Sequence, residues 1–85
     1  MSNPNTTEAM AERFAEFVLH HANLALIMMG RVPHPETGQS VQDLDYARML
    51  VDQLEMIEAK TAGNLTPQEN ALLKQSLVTV RMAFV

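Results

Sequence analysis

Three residues near the start of the chain, Glu16, His20 and His21, are of types that bind metals or move protons. Glu16 and His20 stand four apart, which places them on one face of a helix as a carboxylate and imidazole ligand pair would be. A di-iron bundle, however, needs Glu-x-x-His pairs on facing helices, and the chain has no His after His34. Glu55 and Glu58 offer carboxylates only on an outer face. His20 is better read as a boundary residue, and His21 as a partly buried one that makes a hydrogen bond. Glu16, His20 and His21 thus stand as weak candidates for metal ligands, and no cofactor is expected.

The remaining residues suggest no chemistry. The chain contains no cysteine, so it has no thiol nucleophile, no Cys-based zinc site and no disulfide. No Ser or Thr falls in a recognisable nucleophile, base and orienter pattern, and the three glycines form no phosphate cradle. An enzyme is not expected. Six Lys and Arg against ten Asp and Glu give a net charge of −4, with no basic run to neutralise phosphates. Nucleic acid and membrane are therefore not expected partners.

At 85 residues, 47% hydrophobic and 19% charged, the chain predicts one packed domain over residues 7–85, behind a polar, disordered tail over 1–6. The longest run without a charged residue, Phe17 to Gly30, covers 14 residues, too few to span a bilayer. The start lacks the features of a signal peptide, so a cytoplasmic location is expected.

The predicted architecture is all-α, with helices near 7–29, 44–62 and 67–84. In helix 1 Met10, Phe14, Phe17, His21, Leu24 and Met28 recur at spacings of 4, 3, 4, 3 and 4, a heptad seam. Thr6 or Thr7 can cap its start, and Gly30 suits its end. Pro33 and Pro35 exclude a helix over Arg31 to Ser40 and stiffen this connector, and Gly38 closes a turn. Ser40 or Asp43 can cap helix 2, whose stripe is Ala47, Leu50, Leu54, Ile57 and Thr61, with Tyr46, Met49 and Met56 beside it. Gly63 is placed as the first residue past its end. Thr66-Pro67-Gln68-Glu69 is a capping box opening helix 3, with Thr66 and Glu69 as the reciprocal pair. Leu73, Leu77, Val80 and Phe84 form the inner face of helix 3.

Gly30-Arg-Val-Pro-His-Pro-Glu-Thr-Gly38 and Leu54-Glu-Met-Ile-Glu-Ala-Lys-Thr-Ala-Gly-Asn-Leu-Thr-Pro-Gln-Glu69 resemble the turn motifs of DUF1844, a family of small bacterial proteins of unknown function. The resemblance covers about residues 13 to 84 and implies a helical cytoplasmic fold without an assigned activity. No catalytic residue carries over, because the matching positions, Gly30, Pro33, Pro35, Thr37, Gly38, Thr61, Gly63, Asn64, Leu65 and Thr66, set turns and caps.

Three short helices leave apolar residues around most of helices 1 and 3 without cover, and helix 1, at about 34 Å, outruns helix 2 at about 27 Å. A homo-oligomer, most simply a dimeric helical bundle, is therefore expected, with Phe14, Phe17, His21, Leu24 and Met28 as its interface. The methionines of helices 1 to 3 suit an adaptable groove for another protein. The expected role is a non-enzymatic adaptor or scaffold. The alternative is a small-ligand or metal-binding bundle using the Glu16, His20 and His21 region.

Overall fold

The computed structural model describes residues 6–84, so of the expected tail over 1–6 only Thr6 falls among the described residues. Three α-helices follow one another: α1 (Thr7–Met28), α2 (Leu44–Lys60) and α3 (Pro67–Phe84). No strand occurs among the described residues, which makes the fold all-α as expected.

The helix ends from the start of α1 to the start of α3 are each closed by a specific device. Thr6 lies in extended backbone and its Oγ1 accepts the Ala9 N–H at 3.1 Å, satisfying one of the free donors of the first turn. At the other end of α1, the Gly30 N–H donates to the Ile27 carbonyl and the Arg31 N–H to that of Leu26, both at 3.0 Å. This is a Schellman closure, and it needs the positive φ of 77° that Gly30 supplies. Asp43, rather than Ser40, caps α2, accepting the Tyr46 N–H at 3.0 Å.

The connector is stiff in the expected way. The His34 N–H reaches the Gln39 carbonyl at 2.9 Å and the Gly38 N–H returns to the His34 carbonyl at 2.7 Å, closing a compact loop. The Asp43 N–H then donates to the Met28 carbonyl at 2.7 Å, which pins the start of α2 to the end of α1 and sets the two helices antiparallel.

The end of α2 departs from expectation. The helix stops at Lys60, and Thr61 is its cap, so the first residue past the end is Ala62 and not Gly63. At Thr61 both the N–H, at 3.0 Å, and the side-chain Oγ1, at 2.6 Å, donate to the Ile57 carbonyl. Gly63 instead provides the positive φ of a turn closed by the Asn64 N–H on the Thr61 carbonyl.

The capping box at the start of α3 is formed as expected. The Thr66 N–H donates to Glu69 Oε1 at 2.8 Å, and the Glu69 N–H donates to Thr66 Oγ1 at 3.2 Å. Thr66→Ala removes one of these two bonds and weakens the other, so it is expected to cost about 1 kcal/mol. That corresponds to roughly 4–8 °C in a thermal melt of a domain this small. A melt coincident with that of the parent would contradict the contribution assigned to this cap.

Packing revises the expected seam of α1. The buried row is Val18, Ala22, Ala25 and Met29, one position on from the predicted one, and it meets Ala47, Leu50, Val51 and Leu54 of α2 and Leu73, Leu77 and Val80 of α3. The reason is geometric. α1 must touch two helices at once, so the centre of its inner face points between them, where Ala22 and Ala25 permit close approach. The larger Phe14, Leu24, Met28 and Leu26 pack around this centre as partly buried neighbours. The inner faces of α2 and α3 are those read from the sequence, with Leu54, Leu73, Leu77 and Val80 fully buried.

The connector also supplies cover that helix counting overlooked. His34 and Pro35 line a groove with Leu24 and Ile27, and Ile27 is only 4% exposed although it stands outside the main core. Part of the apolar second half of α1 is thus covered within the chain.

Candidate functional site

The three candidate metal ligands do not converge. Glu16 is exposed and paired with Arg13, whose Nη1 lies 3.3 Å from its Oε1. His20, also exposed, lines the connector groove on the outer side of α1. His21, half-buried, turns toward α2, where its Nε2 is 2.7 Å from Gln53 Oε1. Among the described residues no three His, Asp or Glu side chains are grouped so that they could hold a metal ion.

Glu55 and Glu58, read from the sequence as outer carboxylates, face the basic residues of α3. Arg81 Nη2 approaches Glu55 Oε2 at 2.9 Å and Glu58 Oε1 at 3.9 Å, and Lys74 Nζ approaches Glu58 Oε2 at 3.6 Å. All four side chains are substantially solvated, so each pair contributes between nothing and about 1 kcal/mol and serves mainly to set how α2 and α3 align. At one end of this seam Arg48 lies over the Phe84 ring, 5.7 Å from its centroid, beside an open hollow of about 150 Å³. Arg81, which also lines that hollow, is already engaged with Glu55.

One feature that internal packing leaves unexplained is the outer face shared by α1 and α2; Leu19, Val78 and Met82 are exposed apart from it. The His21 to Gln53 bond marks its middle. Phe17 stacks on His21, with ring centroids 4.5 Å apart and planes at 24°, so the imidazole is held from two sides. Because the helices are antiparallel, Phe17 (four before His21) and Met56 (three after Gln53) lie toward one end. Leu24 (three after His21) and Met49 (four before Gln53) lie toward the other. Tyr46 continues the α2 row. Phe17 is 43% exposed, Met49 44% and Met56 47%, large apolar side chains on a small chain.

Each row is a heptad, Met10, Phe14, Phe17, His21, Leu24, Met28 on α1 and Tyr46, Met49, Gln53, Met56 on α2, and over these residues neither contains a Lys, Arg, Asp or Glu; Lys60, the last residue of α2, takes the next position of its row. The five residues expected at an interface therefore line one flank, but unequally. Phe14, Leu24 and Met28 also pack on the core, whereas Phe17 is outward. Nothing in the sequence singles out Gln53. Its partnership with His21 depends on how α1 and α2 align, which spacing within either helix does not reveal.

Comparison with known proteins places this three-helix chain in a family. A family model described as a domain of unknown function, DUF1844, matches residues 11–85, and the chain belongs to that family. No curated protein and no solved structure matches it significantly. Among the described residues no helix is long and apolar enough to cross a membrane.

Proposed function

We propose that the chain is a non-enzymatic, homo-oligomeric interaction module, most simply a dimer, that associates through the outer face of α1 and α2. The observation that carries this reading is the charge-free apolar strip containing Phe17, Met49 and Met56. Contiguous exposed apolar surface on a small domain marks an interaction site more often than chance placement.

Its neutrality favours a second copy as the occupant. A chain of net charge −4 repels its own copy over most of its surface, and a face without charges is where that repulsion is least. The rows extend over about 27 Å along α1 and about two helix widths across, comparable to the footprint of a stable interface burying about 800 Å² per partner. The alternative of a metal or ligand bundle has no comparable support, because Glu16, His20 and His21 are directed to different surroundings.

Sedimentation at micromolar concentration is expected to give twice the 9.5 kDa of one chain. Phe17→Asp and Met56→Asp should each restore the single-chain mass while helical circular dichroism is kept, because both residues are already solvated in the single chain. Leu24 and Met28 are poorer probes, since they also pack on the core and a charge there would unfold the domain. A parent chain that sediments at 9.5 kDa would overturn the proposal.

A further inference from the structure

We propose that the second copy docks with its two-fold axis parallel to α1 and α2, so that His21 of each chain meets Gln53 of the other. This arrangement rests on the association proposed above and specifies its geometry.

Two copies that meet face to face are related by an axis lying in the plane between them. If the axis runs along the helices, α1 lies on the partner's α2 and every level is kept: His21 opposes the partner's Gln53, and Phe17 opposes the partner's Met56. If the axis runs across the helices at the level of His21, α1 lies on the partner's α1. His21 then opposes the partner's His21, and Phe17 opposes the partner's Leu24.

Hydrogen-bond capacity separates the two. Within one chain His21 Nε2 and Gln53 Oε1 are bonded at 2.7 Å, which leaves the other imidazole nitrogen and the Gln53 amide nitrogen with hydrogen-bonding capacity. A neutral imidazole has one donor and one acceptor nitrogen, and the amide has a donor and an acceptor end. With Nε2–H donating to Oε1, the remaining groups are an acceptor on His21 and donors on Gln53. With the amide turned over, they are a donor on His21 and an acceptor on Gln53. In both cases the leftover of His21 complements that of Gln53 and not that of another His21.

Only the axis along the helices brings His21 to the partner's Gln53 twice over, closing four side chains into one ring. The axis across them sets like against like, which leaves polar groups unsatisfied in an apolar interface. The same axis lays Phe17 against the partner's Met56, a favourable sulfur–aromatic pairing at each end of the strip. The stack of Phe17 on His21 fixes the imidazole before docking, which lowers the entropy lost on association.

The absence of cysteine makes the arrangement directly testable. Phe17→Cys, Met49→Cys and Met56→Cys are prepared as separate chains, their dimerisation is checked by sedimentation, and they are mixed in pairs under mild oxidation. Phe17→Cys with Met56→Cys is expected to give a disulfide-linked pair, and Met49→Cys with Met56→Cys is not. The reverse pattern, or no cross-linking by dimeric variants, would overturn this axis and leave the association standing. A parent chain that is monomeric would overturn both.

Discussion

Leu54→Ala is expected to lower the unfolding free energy by about 3 kcal/mol. Leu54 is fully buried at the middle of α2, in the same core as Val18, Leu50, Leu73 and Leu77. Truncation removes its buried methyl groups from that core and leaves a cavity around which the packed helices collapse only in part. Domains of this size have about 5–10 kcal/mol in total, so the loss is a large fraction of the stability and corresponds to roughly 12–24 °C in melting temperature. Leu19→Ala is the matched control. Leu19 is 53% exposed on α1, and alanine is the better helix former, so the change there should stay within about 0.5 kcal/mol. Denaturant melts of the two variants check this directly, and equal shifts would contradict the core described above.

Gly30→Ala is expected to cost about 2–3 kcal/mol, from two sources that add. The positive φ of 77° places any L side chain in the left-handed region, worth roughly 1–2 kcal/mol. A Cβ at this position would also stand 3.1 Å from the Val41 carbonyl oxygen. That oxygen belongs to backbone, two residues before the Asp43 N–H that bonds to Met28, so it cannot yield without loosening the junction of α1 and α2. Gly38 separates the two sources. Its φ is also positive, at 70°, but a Cβ there meets nothing within 4 Å. Gly38→Ala should therefore carry only the conformational cost of about 1 kcal/mol. Equal destabilisation by the two substitutions would show that the approach of Val41 has no energetic consequence.

The core and the proposed interface use different surfaces of α1. Changes at Val18, Ala22 or Ala25 would act on folding, whereas changes at Phe17 would act on the proposed association, because helical geometry turns position 17 about a quarter of the circumference from position 18. Met49 and Met56 hold the corresponding place on α2.

Local devices were legible in the chain alone because they involve residues a few positions apart. Thr66 and Glu69 stand at the spacing at which each side chain reaches the other's amide, and the structure forms both bonds. The inner faces of α2 and α3 were equally legible, since Leu50 and Leu54 on α2 and Leu73, Leu77 and Val80 on α3 recur at helical spacing. α1 was not, because an apolar helix offers several equivalent seams. Its inner face was decided by the requirement to meet α2 and α3 together, which selected the row with the small Ala22 and Ala25 and turned Phe17 outward.

Helix ends followed the same division. Gly30 closes α1 as its spacing implied, while α2 ends early at the turn in which Gly63 has positive φ and the Asn64 N–H bonds the Thr61 carbonyl. The sequence by itself thus determined the all-α class, the breaks at the prolines, the Gly30 closure of α1 and the capping box of α3, all of which follow from backbone stereochemistry and short-range hydrogen bonding. Only the tertiary structure decided that the connector covers Ile27, that His21 finds Gln53, and that Glu16, His20 and His21 diverge. Those outcomes join residues as many as 32 positions apart, and they depend on the rotation and alignment of packed helices, which the periodicity of a single helix does not contain.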